Sequence, residues 1–392
     1  MKNTPNLIGL GPLVCLAFLL VFGFSGSALG QTESKPNSPI NKQVKSAIDE
    51  LLKCNDPNVT PPDPAELEAL VEFMTTNSGE GEDINPGRYN GGSGVFWHKS
   101  INRPLGQTLR YLYNPAITQE VLYPSSIRVN RIQPESGILK LDRPLWDLLE
   151  NPADLAQPLI FRNQEWEEIT PDDFSGSYYS YNLERLIILF RYHDKPMLLS
   201  VGWMAGESEV GKKGGIIEPY SNWDFVYSNE QGATASGIGW ADTYMYSSAS
   251  IVLLYPEGEN GESTGYSMFK WLDAGWAGMN MVKKKHILSG AERTFKGVLE
   301  VMGQADSPAP EALEQIVSRV LAYDNETLLE HSRKYCAALA ELSKDDPILE
   351  DEEFQVLLQD GNYARHLSRE RLESLVIKLE LKRLLGKPVL GD

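Results

Sequence analysis

The stretch RLIILFRYHDKPMLLSVGWM, Arg185 to Met204, decides the fold class of this 392-residue chain. Two apolar runs rich in strand-forming residues flank the polar segment HDKP, a pattern that predicts a β-hairpin with a four-residue turn. Apolar residues occupy both alternating positions of each run. We therefore expect both faces of the resulting sheet to be covered by other parts of the chain.

Further strands are predicted on both sides of this hairpin. TYMYSSASIVLLY and TGYSMFKWL flank the acidic segment PEGENGES within residues 243–272 and predict a second hairpin. TLRYLY, residues 108–113, and SSIRVNRI, residues 125–132, alternate or nearly do, so they are also predicted as strands.

Helical spacing dominates the two ends of the chain. Residues 41–54 and 63–74 carry apolar stripes, with Asn41 and Asp63 as predicted N-caps. A further stripe, which includes Phe295 and Met302, is followed by four helical segments between residues 310 and 385. The fold class is therefore α+β: a central, mainly antiparallel β lobe with N-terminal helices and a C-terminal helical lobe.

The composition predicts export and a division into four parts. Leu7 to Phe24 is almost wholly apolar, and Ala28 and Gly30 are the small residues that signal peptidase requires, so cleavage before Gln31 is expected. The predicted parts are a signal peptide (1–30), a linker with two helices (31–93), a β-rich central domain ending in an amphipathic helix (94–305) and a C-terminal helical lobe (306–392). No second run is long enough to span a membrane. The predicted location is periplasmic or extracellular.

The net charge of −18 restricts the partners. Nucleic-acid binders need a basic surface to neutralise phosphates, so a nucleic-acid partner is not expected. A glycan or a protein of the cell envelope remains open as a partner. After signal cleavage Cys54 and Cys336 remain, and an even pair in an oxidising compartment predicts a disulfide between them, with two buried free thiols as the alternative.

Motifs for nucleotide, nucleophile or metal chemistry are incomplete. GESEVGKK, residues 206–213, lacks the hydroxyl that a phosphate-binding loop uses for magnesium, which leaves Lys212 and Lys213 only as candidates for contacting an anion. Ser267 and Lys270 match S-x-x-K but fall on a predicted strand, where positions three apart face opposite sides. The five histidines are dispersed, so no metal and no cofactor is predicted.

Aromatic residues beside acids form the one suggestive group of candidate ligand-binding residues. Indole rings stack on sugars, and carboxylates accept hydroxyl hydrogen bonds or act as acid and base in glycoside cleavage. The alternative is that these aromatic side chains belong to the core or the sheet surface, since strands are rich in them. The candidates are Trp223, Asp224, Trp240, Asp242 and Tyr244.

The segment FKWLDAGWAGMNMVKKKHI, residues 269–287, is predicted to contain a strand end, a glycine-rich corner and a short helical turn. Three lysines at a helix N-terminus would oppose the helix dipole, so we expect the following helix to begin at Ser289.

These observations favour a non-catalytic, exported binding or interaction protein, because no coherent catalytic set is found. One alternative is a secreted carbohydrate-active hydrolase that uses two of the acids Asp224, Asp242, Glu218 and Asp273. Another is a carrier of an apolar ligand within a closed β lobe. A carboxylate pair across a cleft would favour the hydrolase, and a large apolar cavity would favour the carrier.

Overall fold

The computed structural model describes residues 40–77, 84–172, 176–235, 239–359 and 361–392, without the side chains of 233–235, 239 and 240. The predicted signal peptide, its cleavage site and most of the linker after it lie outside these residues. The described residues belong to one compact unit. The predicted division near residues 93 and 305 stays a prediction.

The chain folds as α+β, which confirms the predicted fold class, and its strands form one large and two small antiparallel sheets. The strands are β1 Arg88–Tyr89, β2 Gly92–Ile101, β3 Ile127–Ile132, β4 Leu159–Ile169, β5 Ser177–Tyr178, β6 Ser180–Tyr192, β7 Lys195–Met204, β8 Lys212–Ile217, β9 Asp224–Gln231, β10 Ala233–Ala235, β11 Gly239–Ala241, β12 Thr243–Glu257, β13 Ser263–Trp276 and β14 Met279–Asn280.

The large sheet has the order β1-β2-β13-β12-β7-β6-β4-β3, with β14 paired to β13. Both predicted hairpins are present, as β6–β7 and β12–β13, and they lie side by side at its centre. The β6–β7 turn is shorter than predicted, because only His193 and Asp194 lie outside the strands, with φ of 45° and 61°. Positive φ at both central residues is what a two-residue hairpin turn requires.

Helices cover both faces of the large sheet. Their ranges are α1 Lys42–Lys53, α2 Glu68–Thr76, α3 Leu105–Leu112, α4 Gln119–Leu122, α5 Lys284–Met302, α6 Pro310–Leu321, α7 Asn325–Leu342, α8 Glu352–Leu358 and α9 Arg369–Leu384. The predicted caps are confirmed, since Asn41 accepts the Val44 N–H at 2.9 Å and Asp63 forms a capping box with Glu66. No helix in the described part of the chain is long and apolar enough to cross a membrane.

Two separate apolar cores lie on the two faces of the sheet. Helices α1 and α2 pack on one face, where Leu51, Phe73 and Phe269 are buried. The other face shares its core with α3–α9 and the β5-β8-β9 sheet. The C-terminal helices are also held by charge, because the buried Glu168 of β4 accepts from Arg128 at 2.7 Å and from Arg371 of α9 at 2.6 Å.

Two local predictions are wrong. TLRYLY lies largely in α3, not in a strand, because Leu105, Leu109 and Leu112 form a helical stripe that its near-alternation conceals. The helix after β13 begins at Lys284, not at Ser289, since β13 continues to Trp276 and turns back through β14. The helix therefore starts with lysines against its dipole.

The predicted disulfide is also wrong. Cys54 and Cys336 are both free and buried. Cys54 follows α1 and belongs to the core on one face of the large sheet, whereas Cys336 lies in α7 and belongs to the core on the other face. Both apolar stripes do face protein, but they belong to different cores, and α7 packs on α8 and α9.

Candidate functional site

A cavity of about 800 Å³ lies on the face of the large sheet opposite α1 and α2. The sheet forms its floor, and residues of α5 and of the α3–α4 region close it from above. Helix α5 is anchored to the floor where Phe295 packs edge-on against Trp97, with ring centroids 5.0 Å apart. The volume lies within the range of small-molecule sites in proteins.

A row of polar residues crosses the floor of this cavity. The strands β4, β6, β7, β12 and β13 are neighbours in the sheet, and each places one residue in the same cross-strand row. In this order the residues are Asn163, Arg185, Gly202, Ser250 and Lys270. Cross-strand partners share a face of the sheet, so the side chains of this polar row all point towards the cavity. Gly202, at the centre of the row, contributes no side chain.

Mainly apolar rows lie on one side of the polar row. The next row towards the start of β7 includes Ile187, Val252 and Met268 together with Ser200, and Leu254 follows in the row beyond. Helix α5 lines the opposite wall with apolar residues such as Ile287 and with polar ones such as Arg293. The lining is therefore mainly apolar, and the polar row is the part of it that the strand register aligns.

Two carboxylates of β4 accompany the polar row, and the protein satisfies both. Glu165 accepts from Arg185 Nε at 2.8 Å and from Asn130 Nδ2 at 3.0 Å. Glu167 accepts from the Tyr181 hydroxyl, and the same Asn130 nitrogen lies 3.5 Å from its other oxygen. The amide of Asn130 thus occupies the space between the two carboxylates.

Burial shifts the pKa values of the charged groups around the polar row. Burial raises the pKa of Glu167, although Tyr181 and Arg185 oppose the rise. Burial lowers the pKa of Lys270 to about 8, against the attraction of Glu167. Burial also acts to lower the pKa of Arg185, but Glu165 and Glu167 outweigh it and the pKa is raised. Arg185 is therefore a permanent cation and Lys270 a titratable one.

Two tyrosine hydroxyls add to the polar surface of the cavity. Tyr123 and Tyr266 line the cavity, and neither hydroxyl has a hydrogen-bond partner within the described residues. Burial raises the pKa of both phenols, and the charge of Arg185 opposes that rise. Both hydroxyls are thus neutral donors within electrostatic range of Arg185.

The segment 269–287 frames one side of the cavity. Trp276, Met281 and His286 line it, and Met281 is 47% exposed, which places it where the cavity meets solvent. Trp271 points to the other face of the sheet and is a fully buried core residue.

Trp223 and Asp224, the first pair of candidates, do not line this cavity. Trp223 is 2% exposed, and the Lys387 ammonium lies over its ring, 4.2 Å from the ring centroid. Asp224 is buried, and both its oxygens accept from Lys382 Nζ at 2.8 Å. Burial raises the pKa of Asp224 in spite of that lysine. Both residues have protein partners at these positions.

The other candidates follow one another in the chain around β11. Trp240 lies in β11, and its side chain is outside the described part of the chain. Asp242 is exposed, and Tyr244 is half-buried beside Tyr246 with ring centroids 6.1 Å apart. Asp242 and Tyr244 are not among the described residues that line the cavity, and ligand binding by these candidates stays a prediction.

The lysines of the glycine-rich segment face acidic groups of the protein. Lys213 forms ion pairs with Asp351 and Glu353 near α8, and Lys212 lies 3.6 Å from Glu209. Their predicted contact with an external anion stays a prediction.

Glu218 and Asp273 complete the set of acids considered for hydrolysis. Glu218 is exposed, and Asp273 is half-buried on β13, with its Oδ1 buried and without a hydrogen-bond partner among the described residues. Burial raises the pKa of Asp273. Neither of these acids is among the described residues that line the cavity.

Sequence reasoning missed the polar row because it compared neighbours along the chain. Lys270 was considered only with Ser267, and the structure places these two on opposite faces, where the Ser267 hydroxyl donates to the Met74 carbonyl at 2.6 Å. The sequence does contain a usable signal, because Arg185 and Lys270 are ionisable residues inside largely apolar strands. Such residues are rarely buried without a partner or a task.

No family model matches this chain, and no curated protein matches it significantly. The function proposed below therefore rests on the cavity itself.

Proposed function

We propose that this protein is an exported, non-catalytic binding protein whose cavity takes up a small amphiphilic molecule. The observation that supports this proposal is a cavity of about 800 Å³ with a mainly apolar lining and a polar row across its floor. Apolar walls with a few convergent polar groups are typical of ligand sites. The export predicted from residues 1–30 would place binding outside the cytoplasm.

The carboxylate arrangement favours binding over glycoside hydrolysis. A glycosidase needs two carboxyl groups on either side of the scissile bond. Glu165 and Glu167 are the carboxylates of β4 that line the cavity, and both are hydrogen-bonded to the Asn130 amide that lies between them. The position between this pair is therefore taken by a protein side chain.

The proposal is tested with a neutral, environment-sensitive dye such as Nile red and the purified mature chain. We expect saturable binding with a rise in dye fluorescence, because transfer of the dye to an apolar cavity is favourable. The variant Ala291→Phe adds a ring to α5 at the cavity wall and should reduce dye binding. Ala337→Phe is the matched control, since Ala337 is exposed on α7 and does not line the cavity.

Equal dye binding by Ala291→Phe and by the wild type would show that the dye binds elsewhere. Absence of dye binding by the folded wild type, together with absence of any extractable small molecule in the purified protein, would refute the proposed function.

A further inference from the structure

We propose that the cavity selects molecules with an anionic oxygen head group, a carboxylate or a phosphate ester, held at the polar row between Arg185 and Lys270. This inference rests on the proposed function and names the chemical class of its ligand.

Hydrogen-bond donors at the polar row outnumber the available acceptors. Arg185 uses Nε for Glu165, and its two terminal nitrogens have no acceptor in the described part of the chain. Lys270 Nζ donates to Ser248 Oγ at 2.7 Å, which leaves two of its three N–H groups without an acceptor there. The Tyr123 and Tyr266 hydroxyls have no partner either.

The carboxylate oxygens of Glu165 and Glu167 near the row already have hydrogen-bond donors within the protein. Glu165 accepts from Arg185 and Asn130, and Glu167 accepts from Tyr181. A ligand that fits this surface must therefore bring acceptors rather than donors. Buried donors without acceptors are costly, and an anionic oxygen group satisfies several of them at once.

Gly202 adds no side chain to the polar row, which leaves a gap in the row between Arg185 and Ser250. A Cβ on Gly202 would lie 3.4 Å from Arg185 Nη1 and 3.3 Å from Ser250 Oγ, so these two side chains border the gap closely. Glycine is unfavourable inside a strand unless something approaches the backbone closely, and here the side chains of Arg185 and Ser250 do so. The gap lies between the strands that carry Arg185 and Lys270, so a group bound over Arg185 Nη1 and Ser250 Oγ lies between the two cations.

The apolar rows beside the gap then contact the rest of the ligand. Val252 and Met268 lie in the row next to Ser250 and Lys270, and Leu254 lies one row further. An alkyl chain attached to the anionic group would follow these rows under α5.

The experiment measures displacement of bound Nile red from the full mature chain by three competitors with the same alkyl chain: myristate, myristyl phosphate and myristyl alcohol. We expect the two anions to compete at least about tenfold better than the alcohol, which is the usual gain from a charge-assisted hydrogen bond in a buried site. The better of the two anions identifies the head group as carboxylate or phosphate.

Two variants locate the effect at the polar row. Lys270→Met should reduce the preference for anions over the alcohol by about tenfold, because it removes one cation and keeps the apolar stem. Gly202→Ala should also reduce the preference, because its methyl group enters the gap next to Arg185. Gly106→Ala in α3 is the control for a glycine-to-alanine change, since an added Cβ meets only Leu149 at 3.9 Å.

Equal competition by all three compounds would overturn the anionic head group and leave the proposed function intact. Failure of every compound and of the dye to bind would refute both the anionic head group and the proposed function. If Lys270→Met does not fold, as judged by circular dichroism, Gly202→Ala decides: an unchanged preference in that variant overturns the location at the polar row.

Discussion

The buried ion pair between Asp224 and Lys382 gives the largest stability effect that we predict. Lys382 Nζ donates to both carboxylate oxygens at 2.8 Å, and the two side chains are 8% and 0% exposed. The pair joins β9 to α9, and removal of one partner leaves the other charge buried without compensation. Such a loss costs about 3–5 kcal/mol. Asp224→Ala and Lys382→Met should therefore each lower the free energy of unfolding by an amount in this range.

Lys378 makes the two variants unequal. It lies one turn before Lys382 on α9, and its charge also acts on Asp224. Lys382→Met thus retains a nearby amine, although burial lowers the pKa of Lys378 to about 7, and its cost should fall at the lower end of the range. Without Lys382 the carboxyl group can relieve its burial by taking up a proton, which raises its folded-state pKa further. The cost of Lys382→Met should therefore shrink as the pH is lowered.

The assay is urea denaturation followed by tryptophan fluorescence, with midpoints and slopes compared at one pH. The double variant Asp224→Leu with Lys382→Met should recover most of the loss, because an apolar pair replaces a buried ion pair at little cost. Lys344→Met is the control: its partner Glu341 is exposed, and a change within about 0.5 kcal/mol is expected. A loss below about 1 kcal/mol in Lys382→Met would refute the structural role and return Asp224 to the ligand-binding candidates.

Three further predictions concern Lys270, the two cysteines and the signal peptide. Burial lowers the pKa of Lys270 to about 8 from 10.5, so its contribution to stability is present above pH 10.5 and lost as the pH falls through about 8. The unfolding free energy of the wild type relative to Lys270→Met should thus rise between these pH values, and a flat difference in urea midpoints would contradict the shift. Cys54 and Cys336 should both react with iodoacetamide in unfolded, unreduced protein. In native protein they should react only slowly, since burial raises the pKa of both thiols. Detection of a peptide pair linked through Cys54 and Cys336 by mass spectrometry would contradict this. The exported protein should begin at or near Gln31, and N-terminal sequencing that finds Met1 would exclude cleavage.

Much of the secondary structure could be predicted because its signals are local. The β6–β7 and β12–β13 hairpins, the caps at Asn41 and Asp63 and the four C-terminal helices all follow from residues a few positions apart. The errors occur where two local patterns compete. In residues 108–113 near-alternation and helical spacing coexist, and the apolar partners that α3 meets in the fold select the helix.

The cysteine prediction failed for a different reason. An apolar stripe shows that a side chain faces protein, but not which side of a sheet that protein occupies. Cys54 and Cys336 have equivalent local patterns, and the nine-stranded sheet lies between their two cores. Only the tertiary packing, which assigns Cys54 and Cys336 to different cores, decides that the two thiols do not meet.

The sequence by itself determined the fold class, both central hairpins and the helical ends, because hydrophobic periodicity and turn chemistry act over a few residues. The tertiary structure alone decided the candidate site. Each of the neighbouring strands β4, β6, β7, β12 and β13 contributes a single residue to the polar row. Arg185, Gly202 and Lys270 come together only through strand register. Register depends on hydrogen bonds between segments far apart in the chain, and a one-residue slip would turn a side chain from the cavity to the opposite core.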